Sequence, residues 1–186
     1  MTTDDTRTLV LLAHPDLAAS RVNAALAEAA RSVPSVTVHD LYAAYPRSRR
    51  AGAPATPVDA ASEQKLLTAH EHVVLQFPLQ WYSSPPLLKE WLDEVLTEGF
   101  AYGPGGEALR GRSLLVATST GGPAAAYHPG GRGHRALADL LLPYAATANL
   151  LGMDYRPPFA VHDARGLSGP ELARHVDRYR ELLAAG

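Results

Sequence analysis

An α/β sandwich built on a parallel sheet is the fold class this sequence predicts, and three observations carry it. Short runs of continuous apolar residues recur along the chain, each too short for a helix and suited to a strand buried on both faces. Segments with helical spacing of apolar residues stand between them, so strand and helix alternate five times. Pro, Gly, Ser and Asp collect at the seams, where such a chain must turn.

Taken in order, Thr8 to Ala13 (TLVLLA) is the first strand, stopped by His14-Pro15-Asp16. Ser20 is placed as an N-cap, and Val22, Ala25, Leu26, Ala29, Ala30 and Val33 follow at helical spacing. Val36 to Leu41 is the second strand, after a Pro34-Ser35 turn. Arg47 to Pro57 is basic, then rich in Ala and Pro, and reads as an exposed loop before a helix over 58–69. His72 to Phe77 is the third strand. Pro85-Pro86 opens the next helix, whose apolar face is Leu87, Leu88, Trp91, Leu92 and Val95. Ser113 to Thr118 is the fourth strand, and a long loop runs from Ser119 to Gly133. One helix is predicted from His134 to Leu151, closed by Gly152. A short fifth strand near Phe159 to Val161 and an amphipathic helix over 169–183 complete the pattern. Residues 1–186 read as a single domain, with 1–7 as a flexible tail.

Composition narrows the function. With 19 acidic and 17 basic residues the net charge is -2, which offers nothing to nucleic acid or an anionic membrane. There is no cysteine, so disulfides, thiolate metal sites and thiol redox chemistry are excluded, and electrons would have to sit on a bound cofactor. The polar N-terminus lacks the apolar core of a secretory signal, and no apolar run nears the roughly 20 residues of a membrane span. A cytoplasmic protein without membrane insertion is the expectation. No GxGxxG follows the first strand, and GxxxxGK[ST] and GxSxG are absent. His70, His72, His128 and His134 lack dependable metal-ligand spacing, so no metal is expected.

In an open α/β sheet the ligand sits beyond the carboxyl ends of the strands, where strand order reverses. For a flavodoxin-like order, 2-1-3-4-5 in a three-layer sandwich with helices on both faces, that point lies between strands one and three, beside the loop after strand four. Three loops meet there. The first holds His14 and then Ser20, Arg21, Val22 and Asn23 at a helix start, whose free amides suit a phosphate. The second is Pro78-Leu79-Gln80-Trp81-Tyr82-Ser83, with an aromatic pair to border a flat ring. The third is Ser119-Thr120-Gly121-Gly122-Pro123, where two glycines let the backbone approach a ligand. Each also has a plain structural reading: a turn at His14, a helix cap at Ser20, core aromatics at Trp81 and Tyr82, a tight turn at Gly121-Gly122. Their convergence on one end of the sheet favours a site.

Several stretches carry a resemblance over nearly the whole chain: LVLLAHP (Leu9 to Pro15), SRVN (Ser20 to Asn23), VHDLY (Val38 to Tyr42), STGGP (Ser119 to Pro123), LLGMDYRPPFAVH (Leu150 to His162) and, most specific, Gln76 to Gly103. In these the chain resembles the NAD(P)H:quinone oxidoreductases of flavodoxin-like fold, which include bacterial quinone reductases, the flavoprotein ancillary subunits of glutathione-gated potassium efflux systems, and DT-diaphorase. The resemblance implies a bound flavin, FMN or alternatively FAD, reduced by NADPH or NADH and reoxidised by a quinone or similar flat acceptor in two-electron steps. It implies that His14 and Ser20 to Asn23 hold the phosphate, and that Leu79 to Tyr82 and Ser119 to Gly122 flank the isoalloxazine ring. Tyr127 matches a tyrosine that some members place near the flavin. His134 matches the accompanying histidine one residue out of step, with His128 competing. The resemblance further implies a homodimer, with Tyr102 near the interface, and for one branch a membrane transporter as partner. The chain departs from its relatives at Arg47, Ser48, Arg49 and Arg50, a solvated loop or a grip for an NADPH 2′-phosphate. It is also shorter than the FAD-binding mammalian members, which favours FMN.

Overall fold

The computed structural model describes residues 7–46, 55–133 and 135–186. Its centre is a parallel sheet ordered β2-β1-β3-β4-β5, with β6 also paired to β4. The strands are β1 (Thr8–Leu12), β2 (Val36–Asp40), β3 (His72–Pro78), β4 (Ser113–Ser119), β5 (Asp154–Tyr155) and β6 (Phe159–Val161). All the pairings are parallel, as continuous apolar strands require when both faces are covered.

Successive side chains of a strand point to opposite faces, so each strand feeds two cores. Leu9 and Leu11 of β1 face one side with Val73, Leu75 and Phe77. That side is roofed by α3 (Ala60–Thr68), α4 (Pro86–Val95) and α6 (Leu142–Leu150), through Leu67, Leu88, Trp91 and Tyr144. Val10 and Val74 face the other side, under α1 (Arg21–Arg31) and α7 (Gly169–Ala184), through Leu26, Ala30, Tyr179 and Leu183. This is the expected sandwich with its expected strand order.

The differences from expectation have local causes. The fifth strand position is filled by two pieces, because Pro157-Pro158 between them has no N–H to donate to β4. The segment read as one helix from His134 is α5 (Leu137–Leu140), a break at Leu141, then α6. Pro143 at the second position of α6 removes a donor and would clash with the preceding turn, so a new helix begins there. Gly152 has φ +66 just past the end of α6, where a left-handed residue closes a helix. The helix expected from residue 58 starts at Ala60, because the Asp59 side chain caps it on the Ser62 amide. Leu41 leaves the second strand and opens the short α2 (Leu41–Ala44), capped in turn by Asp40. Of the tail expected over 1–7, Arg7 is hydrogen-bonded at both its N–H and C=O to residues 71–72, while residues 1–6 lie outside the described residues. The Arg47–Arg50 loop also lies outside them. No helix among the described residues is long and apolar enough to cross a membrane.

Candidate functional site

A cleft of about 470 Å³ opens at the carboxyl end of the sheet. Its walls are the loop after β1 with the start of α1, Pro78 and Leu79 after β3, Ser119 to Gly121 after β4, and Ala164 with Arg165 after β6. The three sequence-predicted loops therefore do converge. His14, Ser20, Arg21, Val22, Asn23, Leu79, Ser119, Thr120 and Gly121 all border this space.

One end of the cleft is a helix N-terminus. Ser20 Oγ accepts the Asn23 N–H at 3.1 Å, and the Ser20 carbonyl accepts Ala24 N–H at 3.3 Å. The amides of Arg21 and Val22 meet no acceptor among the described residues, so they remain available at the positive end of α1. Ser20 is thus both a cap and a wall; the two readings are compatible. Asn23, 1% exposed, donates from Nδ2 to Ser119 Oγ at 2.9 Å and binds the α1 start to β4. Its Oδ1 is buried without a partner among the described residues. Behind it, Gln76 Nε2 donates to the Asn23 carbonyl at 3.0 Å, and Tyr179 OH donates to Gln76 Oε1 at 3.1 Å. This buried chain fixes α1 against the sheet centre.

Charge in the cleft is one-sided, since no carboxylate appears in its walls among the described residues. The Arg21 guanidinium donates to the Leu167 carbonyl, and Arg165 is exposed at the rim. His14 is not a standing cation. Burial pushes it below the ordinary imidazole range, against the opposing pull of Asp16 and Asp40. Its Nδ1 accepts the Asp16 N–H at 3.1 Å, which leaves the ring proton on Nε2 as a donor.

The glycine loop supplies the other end. A Cβ built on Gly121 would meet nothing within 4 Å, so that face of the backbone is open. Gly122 lies instead against Tyr127, whose Cε2 would stand 3.6 Å from such a Cβ.

The aromatic pair sits where the sequence does not foretell. Gln80 and Ser83 exchange both backbone hydrogen bonds, at 2.8 and 2.9 Å, and close a two-residue hairpin. Its central residues are Trp81, with φ 47, and Tyr82, with φ 64. Positive φ at both is the requirement of a type I′ turn, which normally takes Asn-Gly. Neither is a core aromatic, since Trp81 is 96% and Tyr82 55% exposed. Gln80, Trp81 and Tyr82 stand beyond the cleft that Leu79 lines. Tyr82, Ser83 and Ser84 line a second cavity of about 270 Å³ with Leu92, Pro143 and Tyr144. The hairpin separates the two spaces.

His134 lies outside the described residues. His128 Nδ1 accepts the Gly130 N–H within its own turn. The ring that packs on Tyr127 is His162, at 5.5 Å between centroids, from the loop after β6. Sequence reasoning missed His162, Ala164 and Arg165. The available signal was strand order, which places the loop after strand five beside the loop after strand four.

The arrangement admits a phosphate at α1 and a flat, polar-edged ring along Leu79 and Gly121, and no wall carboxylate among the described residues would repel such an anion. A family described as having the flavodoxin-like fold matches residues 6–183. The chain belongs to that family. Among similar members is the uncharacterized NAD(P)H oxidoreductase YdeQ of Bacillus subtilis, 46% identical over 95% of this chain and 85% of that protein. The potassium-efflux ancillary protein KefG of Cronobacter sakazakii is 42% identical over 99% of this chain and 96% of that one. Among solved structures of this flavodoxin-like fold, the general stress protein 14 of Treponema denticola in complex with FMN has a TM-score of 0.87, with 42% identity over 96% of this chain and 98% of that one. An NADPH-quinone reductase from P. pentosaceus has a TM-score of 0.84, with 33% identity over 96% and 98%.

Proposed function

We propose that this protein is a cytoplasmic, FMN-dependent NAD(P)H oxidoreductase that reduces quinones or similar flat aromatic acceptors. The observation that carries the reading is the cleft of about 470 Å³, with, among the described residues, free amides at one end, an open glycine backbone at the other and no carboxylate in its walls. The FMN-bound relative and the relatives named as oxidoreductases support it.

When bound, the flavin supplies the two-electron relay between a nicotinamide, NADH or NADPH, and the acceptor. The chain's own groups bind and orient. Arg21 and Val22 N–H, Ser20 Oγ and His14 Nε2–H are the donors for a phosphate, and Asn23 holds that helix end in place. Leu79 packs against an aromatic face, and Gly121 offers its amide to a polar edge. Gln80, Trp81 and Tyr82 form the border over which an acceptor passes. Thr120 and Gly122 hold the loop, and Tyr127 and His134 would balance the charge of a bound, reduced cofactor.

The hairpin places Trp81 and Tyr82 in solvent, and Tyr102, Leu142 and Leu150 are exposed as well. A second copy covering that side completes the site, so the proposal includes a homodimer. Sedimentation at micromolar concentration tests that part, and a monomer removes it. A second reading, a flavin-bearing subunit of a potassium-efflux transporter, is favoured by the similarity to KefG and uses the same cleft.

The deciding experiment is the absorption spectrum of the purified protein, with heat-released flavin identified by chromatography, followed by turnover with NADH, NADPH and a quinone panel. Stoichiometric FMN and quinone turnover are expected. Flavin without turnover moves the assignment to the transporter subunit. Absence of flavin after reconstitution removes both readings.

A further inference from the structure

The loop after β6 is zipped to the glycine loop. Thr120 N–H donates to Val161 O at 2.9 Å, Asp163 N–H to Gly122 O at 2.8 Å, and Ala164 N–H to Thr120 O at 2.9 Å. The last of these aims Gly121. Across a trans peptide the C=O and N–H point in opposite directions, so a Thr120 carbonyl held on Ala164 turns the Gly121 N–H away from that segment. Gly121 is a wall of the cleft.

Side chains repeat the link. Thr120 Oγ1 donates its one hydrogen to Gly122 O at 2.8 Å and lies 3.0 Å from His162 Nδ1. With that hydrogen committed, Thr120 can only accept from the imidazole. A neutral His162 therefore carries its proton on Nδ1 and leaves Nε2 without one. Burial, with His175 nearby, pushes His162 below the ordinary imidazole range and keeps it neutral. The same ring packs on Tyr127 at 5.5 Å and 33°. One half-buried imidazole thus touches both ends of the segment from Thr120 to Tyr127, across the Gly121 that a ligand would meet.

We propose that His162, held as its Nδ1–H tautomer, is a positioning residue for the flavin site, fixing the glycine loop through Thr120 and the Tyr127 ring by packing. The assignment rests on the flavin reading above and adds to it a residue from the loop after the sheet's last strand. It also separates this histidine from His128, which lies on the loop after β4.

Three variants test it. His162→Asn puts an amide Nδ2 near the place of the lost Nδ1–H and keeps the bond to Thr120. His162→Ala removes both bond and packing, and His162→Gln reaches past Thr120. FMN affinity is read by quenching of free FMN fluorescence, alongside KM and kcat. His162→Ala and His162→Gln are expected to weaken FMN about five- to tenfold, while His162→Asn stays within about twofold of the parent. Nitrogen-15 NMR of the flavin-free protein is expected to show, besides His70 whose Nδ1 donates to the Leu66 carbonyl, an Nδ1–H ring whose signals disappear in His162→Asn. An Nε2–H tautomer at His162 overturns the proposal, as does an Asn variant as weak as the Ala variant. If the parent takes up no FMN, the flavin reading falls together with the cofactor half of this proposal. The NMR tautomer then decides the hold on Thr120 by itself.

Discussion

Replacing Trp81 by Asn should make the protein more stable, although it deletes the largest side chain of the site's border. An L-residue other than Gly or Asn pays roughly 1–2 kcal/mol for a left-handed backbone, and Trp81 stands at φ 47. The ring returns almost nothing: at 96% exposed it buries only about 10 Å², or about 0.3 kcal/mol. Asn tolerates the same φ through its short polar side chain, so the net gain is about 1 kcal/mol. For a chain of 186 residues that raises Tm by about 2–4 °C. Thermal unfolding of the flavin-free protein, followed by circular dichroism, reads the shift directly. The companion assay is acceptor kinetics, where KM for a quinone is expected to rise while FMN content holds. A fall in Tm at a concentration where sedimentation shows a monomer would refute the reasoning, because it would mean the indole is packed within its own chain rather than free; in the homodimer the partner's cover offsets the gain.

Gly121→Ala places a methyl in open space, so stability should stay within about 0.5 kcal/mol while FMN titration shows at least about a tenfold loss. Equal affinity would remove Gly121 from the cofactor's contact surface. Ser20→Ala should cost about 1 kcal/mol by loss of the α1 cap, measured by urea unfolding, and also weaken FMN. Glu63, 3% exposed, takes hydrogen bonds from Tyr45 OH at 2.6 Å, from Trp91 Nε1 at 2.8 Å and from His39 Nε2 at 2.8 Å. Burial pushes its carboxyl up, but the three donors outweigh burial and leave it below the ordinary value of 4.5. Its folded-state value is depressed, so its stabilisation is complete above about pH 4.5 and drains as pH falls through the folded value. Glu63→Gln should cost about 2 kcal/mol at neutral pH, and its urea midpoints should converge on the parent's in acid. Parallel curves would show that Glu63 titrates alike in both states.

Local chemistry made most of the fold readable. The apolar run of β1, the cap at Ser20 and the Pro85-Pro86 opening of α4 each follow from adjacent residues, and each stands where expected. Pro143 and Pro157-Pro158 were equally visible, but their effect depends on where the donor they lack would have pointed. The site divides in the same way. The helix start at Ser20 to Asn23 is a local feature and was legible. Trp81 and Tyr82 were not, because aromatic type implies burial, whereas their backbone is set by the hairpin closure and by Leu79 N–H bonding to Ser119 O at 2.8 Å. His162 needs the register of β6 on β4, which places Val161 beside Ser119. No pattern within either strand encodes that register.

The chain of contacts from Tyr179 through Gln76 and Asn23 to Ser119 also has a meaning in time. A ribosome releases α7 after the strands it covers, and until Tyr179 arrives the Gln76 Oε1 at the sheet centre lacks the donor it has in the folded protein. A nascent chain ending before residue 169 can form β1, β3 and β4 but keeps that amide wet and α1 loosely seated. Closure of the helix end at Ser20 to Asn23 then waits on α7, and the pocket becomes competent for its anion only once that helix has docked.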